Sequence, residues 1–133
     1  MNRRPNHRVY FVMGTNIDQI VNMQNARRHL KSLFKELHFS TEVWTEPIGI
    51  DSEPFLNCMG VGVTRHECTQ ILRALKQIQR KCGDSKGKRR VRQIVMDIDM
   101  MQFDDERFHE EDWQRDYVQR LYKELQHIDN ALL

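Results

Sequence analysis

Along the chain the spacing of apolar and polar positions changes several times, and each change marks a new element. Arg8 to Met13 is a short β-favouring run. Gly14-Thr15-Asn16 ends it and offers a helix cap, with Gln19 three residues after Asn16 completing a capping-box pattern. From Ile17 the apolar positions Ile20, Val21, Leu30, Leu33, Phe34 and Leu37 largely follow helical spacing and leave Arg27, Arg28 and Lys31 for solvent, which predicts one amphipathic helix. His38 to Thr45 alternates β-branched and aromatic residues with polar ones and reads as a strand; Pro47, Gly49 and Pro54 then break regular structure. Phe55 to Val63 is a further strand, with Gly60 and Gly62 on one face where a helix or ligand can approach closely.

Thr64 and Glu67 form another capping-box pattern ahead of Cys68, Ile71, Leu72, Leu75, Ile78 and Cys82, whose three- and four-residue steps predict a second helix with Gly83 as its C-terminal cap. A polar segment, Asp84 to Arg90, leads into Val91 to Phe103, which reads as a buried strand interrupted by Asp97 and Asp99. The last amphipathic segment, about Glu111 to Ile128, carries Trp113, Tyr117, Val118, Leu121, Leu125 and Ile128 on one side and predicts a third helix. The order βαββαβ plus a helix predicts an α+β, ferredoxin-like fold: a four-stranded antiparallel sheet, helices on one face, and an added C-terminal helix. The other sheet face is left for a site. Residues 1–133 are expected to form a single domain with flexible ends at 1–7 and 129–133.

Composition narrows the function classes. A length of 133 residues suits one domain with a real core. Lys plus Arg exceed Asp plus Glu by only two (21 against 19), far from the excess of a dedicated nucleic-acid binder. Cys58, Cys68 and Cys82 are odd in number and lack Cys-x-x-Cys spacing, so they are expected to be reduced, mostly buried thiols. No apolar run approaches the roughly 18 residues that span a bilayer, and Met1 to Arg8 is not followed by the apolar region of a secretory leader. A cytoplasmic protein with no membrane or protein partner is expected.

Two patterns carry candidate chemistry. In a strand, residues two apart project from the same face, so Asp97 and Asp99 point together while Ile94, Met96, Ile98 and Met100 take the opposite face. Two such carboxylates repel each other, and a hard divalent cation relieves the repulsion while taking further oxygens from phosphate and water; Mg²⁺ is the natural guest. The same pair also suits solvated acids on an open sheet face. The run Lys86-Gly87-Lys88-Arg89-Arg90-Val91-Arg92 is a basic loop with the reach to approach polyphosphate, or else a solvated charge run. It lacks the glycine and Lys-Ser/Thr pattern of a P-loop.

In chain order, these features resemble the hydroxymethyl-dihydropterin pyrophosphokinases of folate biosynthesis from Tyr10 to about Leu121. Gly14-Thr15-Asn16 looks like the family's Gly-Ser-Asn, and Thr45-Glu46-Pro47-Ile48-Gly49 like its Thr-x-Pro-x-Gly loop. Phe55-Leu56-Asn57 looks like its aromatic-Leu-Asn, and Met96-Asp97-Ile98-Asp99 like its Leu-Asp-Leu-Asp. His109 and Arg115 stand six apart, as do the family's ATP-contacting histidine and arginine, and Tyr117 takes the place of its second pterin-stacking aromatic. The resemblance implies ATP-dependent transfer of pyrophosphate to the hydroxymethyl group of a reduced pterin, with release of AMP. It implies Mg²⁺ on Asp97 and Asp99, ATP as co-substrate contacted by Gln79, Lys86, Arg92, His109 and Arg115, and a pterin pocket of Thr45, Ile48, Phe55, Asn57 and Tyr117. Lys86 and Arg92 join the two acids in the implied catalytic set.

Departures from the family pattern cluster before the acid pair. The family's arginine three residues ahead of the pair corresponds to Ile94, its pterin-covering tryptophan to Val91, and its Gly-Arg-x-Arg to Gly83, Asp84 and Lys86. The expected tyrosine after the histidine is Glu110. A kept site floor under a rewritten, arginine-poor lid predicts slow turnover and leaves open a relative that binds nucleotide or pterin without efficient catalysis. A ferredoxin-like RNA-binding module is disfavoured, because Phe55 to Gly62 does not supply the aromatic RNP pattern.

Overall fold

The computed structural model describes residues 6–132. Its elements run β1 (His7–Thr15), α1 (Gln19–Leu30), β2 (Glu36–Phe39), β3 (Val43–Thr45), β4 (Phe55–Thr64) and α2 (Cys68–Lys81). There follow α3 (Lys86–Arg90), β5 (Asp97–Phe103), β6 (Glu106–Arg107), α4 (Glu110–Trp113) and α5 (Asp116–Leu132). The antiparallel sheet has the order β2-β4-β1-β5-β6, with β3 also pairing β4. Its central four strands, β2-β4-β1-β5, are the ferredoxin-like sheet expected from the βαββαβ order, and the two short strands extend it.

Strand alternation divides the apolar residues between two cores. Val9, Phe11 and Met13 of β1 and Ile98 and Met100 of β5 pack with Met23, Ala26 and Leu30 of α1 and Ile71, Leu75 and Ile78 of α2. Tyr10 of β1, Met59 and Val61 of β4 and Met101 of β5 face the other way, against Trp113 of α4 and Val118, Leu121 and Leu125 of α5. The added C-terminal helix therefore covers part of the face opposite α1 and α2. The β1–β5 register slips between Tyr10 and Phe11, leaving Met101 as an extra residue. Alternation sends the adjacent Met100 and Met101 to opposite cores, and the extra residue then returns Phe103 to the Met100 side, against the first core. Gly60 and Gly62 fulfil the expected close approach: a Cβ at either would overlap the ring of Phe11 or Phe34, which stack at 5.6 Å.

Several elements differ from the sequence reading. The first helix stops at Leu30, and Leu37 belongs to β2, pairing with Gly62 of β4. Ile20 and Val21 lie on the exposed side of α1, while Arg27 is not left to solvent: it pairs with Glu42 at 3.0 Å and lies over Phe39. Asn16 does not cap α1, whose N-cap is Asp18 in a left-handed conformation. Before α2, the capping residue is Glu67, whose N–H donates to Gln70 at 2.8 Å, while Thr64 ends β4. The strand expected at 38–45 splits, because the Ser40 hydroxyl and N–H take the backbone N–H and carbonyl of Met59 between β2 and β3. The third predicted helix breaks into α4 and α5 around Gln114 and Arg115.

The chain ends are built in further than expected. His7 opens β1 and its Nδ1 lies 2.6 Å from Asp104. Asp129, within the stretch expected to be flexible, is buried, accepts the Tyr10 hydroxyl at 2.7 Å and pairs with Arg8 at 3.0 Å. Residues 1–5 and 133 of those expected flexible ends lie outside the described residues. All three cysteines are free; Cys58 is buried, while Cys68 and Cys82 are half-buried. No helix among the described residues is long and apolar enough to cross a membrane.

Candidate active site

On the α5 side of the sheet, a cavity of about 280 Å³ opens where the end of β1 meets the first residues of β4 and β5. Its floor follows from register. Asn57, Gly14 and Asp97 are direct cross-strand neighbours, and Asp99 sits opposite Val12. Gly14, having no side chain, leaves a trough between the amide and the acids. A Cβ there would lie 3.3 Å from Asn57 Oδ1 and 3.7 Å from the Phe55 ring. Such crowding would narrow the trough.

Asp97 and Asp99 are the first and third residues of β5 and line the cavity together, as strand alternation requires. The strand begins at Asp97, six residues later than the sequence suggests, so the acids occupy its mouth. Burial pushes the Asp99 carboxyl up to about 7, and the neighbouring charges of Asp97 and Asp112 add to it while Lys76 opposes it. That unrelieved repulsion between two hard oxygen donors is the chemistry a Mg²⁺ ion answers, so the residues fit the cation. Among the described residues no group of three or more His, Cys, Asp or Glu forms a metal cage. A cation here would take its remaining oxygens from substrate and water, as Mg²⁺ commonly does.

Thr45, Ile48, Phe55, Asn57 and Tyr117, the expected heterocycle pocket, all line this same cavity. Asn57 is polarised by its neighbours: its Nδ2 donates to Thr45 Oγ1 at 2.8 Å and to the Val43 carbonyl at 3.2 Å, leaving Oδ1 as the atom to accept from a ligand. Tyr117 has its phenol pushed up by burial, with Arg115 opposing. The Arg115 guanidinium lies 4.6 Å from the Tyr117 ring centre and its Nη1 is 3.4 Å from the hydroxyl. Arg115 lines the cavity, and His109 Nε2 lies 3.9 Å from Asp99.

The remaining expected phosphate contacts are placed elsewhere. Gln79 is buried in α2 and accepts the Ile98 N–H at 2.8 Å on the free edge of β5, away from the cavity lining. Lys86 is exposed at the start of α3, a short helix where a loop was expected, capped by Ser85 accepting the Lys88 N–H at 3.2 Å. Arg92 is exposed, has φ 64°, and is not part of a strand, so strand alternation does not aim it at the acids. Ile94 is not on the core face as expected; it lines the cavity.

Arg89 also lines the cavity, and sequence reasoning gave it no role of its own. Its Nε donates to Asp84 at 2.7 Å and its Nη2 to Asp97 at 3.2 Å. Its place in the basic run is its only sequence signal, shared with four other cations, Lys86, Lys88, Arg90 and Arg92. Asp112 and Gly14 were likewise not singled out as site residues.

A family model for 7,8-dihydro-6-hydroxymethylpterin-pyrophosphokinase matches residues 10–127, from β1 into α5. The chain belongs to that family. It is thereby a pyrophosphokinase, a transferase that uses ATP, and the matched span contains every residue lining the cavity. No curated protein matches the chain.

Proposed function

We propose that this pyrophosphokinase transfers the β,γ-pyrophosphate of ATP to the hydroxymethyl group of a reduced pterin. The reading is carried by one observation: the acid pair and the five residues of the expected heterocycle pocket line a single cavity. At about 280 Å³ the cavity is at the small end of ligand sites, the right scale for a bicyclic heterocycle, with ATP extending from its open side.

Phe55 and Tyr117 offer aromatic surface to the pterin, and Asn57 Oδ1 accepts a ring N–H or amino group. Gly14 keeps the way open from that pocket to the acids. Asp97 and Asp99 would hold Mg²⁺, which supplies charge neutralisation at the phosphates and lowers the cost of bringing a hydroxyl oxygen to phosphorus. His109 and Arg115 donate to phosphate oxygens, with Lys86 and Arg92 as further cations on the segment that carries Arg89. The substrate hydroxyl oxygen forms a bond to Pβ, the bond between Pβ and the oxygen bridging it to Pα breaks, the hydroxyl gives up its proton, and AMP leaves with the bridging oxygen. Positioning and charge account for such a reaction without covalent catalysis by the protein.

A second reading, binding without efficient turnover, is favoured by Ile94, which presents an apolar side chain to the cavity where the family pattern has an arginine. A coupled AMP-release assay with 6-hydroxymethyl-7,8-dihydropterin and MgATP separates the two. Pterin-dependent AMP release establishes the transferase. Binding of both substrates by calorimetry with no AMP release establishes the second reading instead.

A further inference from the structure

Arg89 is held asymmetrically. Its Nε bond to Asp84 Oδ2 is short, 2.7 Å, and the Asp84 side chain is 8% exposed, with Oδ1 lying 3.4 Å from the Met96 N–H. On the cavity side its Nη2 is shared between the Met96 carbonyl at 3.3 Å and Asp97 Oδ1 at 3.2 Å, both beyond the usual optimum. Nη1 has no partner among the described residues. A guanidinium is a rigid planar fork, so a firm grip on one edge aims the other edge while leaving it free to exchange acceptors. The cavity wall also carries Glu46, Asp112 and the acid pair, against Arg89 and Arg115 as its arginines. Arg115 is drawn to Tyr117, which leaves Arg89 as the guanidinium in contact with the acid pair.

We propose that Asp84 holds Arg89 as the guanidinium that contacts the nucleotide's polyphosphate, and that Arg89 competes with the divalent cation for Asp97 until the polyphosphate takes over its outer edge. This rests on the reading of the cavity as a nucleotide and metal site. The two halves have opposite consequences. Removing Arg89 frees Asp97 and strengthens binding of the cation alone, but removes a charge-assisted donor from bound nucleotide and weakens its binding. A merely structural residue would shift both affinities in the same direction or neither.

The experiment compares wild type with Arg89→Met, measuring Mn²⁺ binding by electron paramagnetic resonance and binding of α,β-methylene-ATP with Mg²⁺ by calorimetry. The analogue cannot be cleaved at the bridge this reaction breaks, so affinity is read without turnover. Mn²⁺ is expected to bind about threefold or more tighter to the variant, and the analogue at least about tenfold weaker. Arg89→Met leaves Asp84 without its partner; should that variant lose its cooperative melt, Asp84→Asn with Arg89→Met replaces it, with the same two signs expected. Unchanged analogue affinity in a folded variant, or both affinities falling together, overturns the role of Arg89 while leaving the site intact. A wild type that binds neither Mn²⁺ nor the analogue overturns the reading of the site itself, and this inference with it.

Discussion

Asn16 serves Ile94 as a strand partner would: its backbone N–H donates to the Ile94 carbonyl at 3.0 Å and its side-chain Oδ1 accepts the Ile94 N–H at 2.7 Å. Its Nδ2 donates to the Arg92 carbonyl at 2.9 Å, so one buried side chain fixes the segment that leads into the acid pair. Asn16→Ala would leave the Ile94 N–H without its acceptor in a part-buried setting. A loss of about 1–3 kcal/mol in unfolding free energy is expected, measured by urea titration. Faster amide exchange across residues 92–96, beyond what the global loss explains, is the accompanying signature; unchanged exchange there would show that the segment is held by other contacts.

The raised Asp99 carboxyl sets a pH dependence for metal binding. With its folded value near 7 against an ordinary carboxylate value near 4, the folded protein keeps a proton that the unfolded chain releases. This group therefore contributes stability below about pH 4, and that contribution is lost as pH rises toward 7. Cation binding has the opposite slope, since it needs the carboxylate. Mg²⁺ affinity is expected to rise by up to about tenfold per pH unit below 7 and level off above it. Asp99→Asn should remove both the slope and most of the affinity, and a wild-type titration flat between pH 5 and 7 would contradict the assignment.

Pterin binding should depend on Phe55 and Asn57 separately. Phe55→Ala removes an aromatic face, and Asn57→Ala removes the free Oδ1 together with the bonds that hold Thr45. Each is expected to weaken binding of the hydroxymethyl pterin by roughly 1 kcal/mol or more, read by ligand fluorescence. Asn57→Asp keeps an acceptor but cannot donate to Thr45, so it separates the ligand contact from the internal one. Equal affinities in all variants would place the heterocycle elsewhere.

What the sequence makes legible is whatever depends on a regular period. Alternation in β1, β4 and β5 predicts which residues share a face, and it correctly sends Asp97 and Asp99 to one side and Ile98 and Met100 to the other. Residues 84–96 escape it, since no period holds across them: α3 is a single short turn capped by Ser85, and the left-handed Arg92 and Ile94 are held by Asn16, nearly 80 positions away in sequence. Reading Val91 to Phe103 as one strand therefore misplaces Arg92 and Ile94. Gln79 illustrates a different limit: a polar residue on a helix facing a free sheet edge satisfies a backbone N–H, and sequence gives no sign of that edge. Ile20 and Val21 mislead because helical spacing locates a stripe without saying how wide the core is behind it.

The rate of transfer turns on how many guanidinium groups reach the polyphosphate. Ile94 and Arg89 both line the cavity, and Arg89 touches Asp97 directly, so an apolar residue at 94 does not by itself leave the phosphates without an arginine. If Arg89 supplies that charge, Arg89→Met should slow single-turnover AMP release by about a hundredfold, the scale typical of a lost charge-stabilising donor. Ile94→Arg in the wild-type background should then change the rate little, because the added fork meets a site that already holds one and competes with it for Asp97. In the Arg89→Met background the same substitution should recover part of the loss, since a guanidinium again enters the cavity near the acid pair. Rapid-quench measurement of labelled AMP from enzyme in excess over ATP reads all four proteins under one condition. A large acceleration by Ile94→Arg alone would show that the charge is missing from the wild type. No rescue in the Arg89→Met background would show that position 94 cannot deliver it.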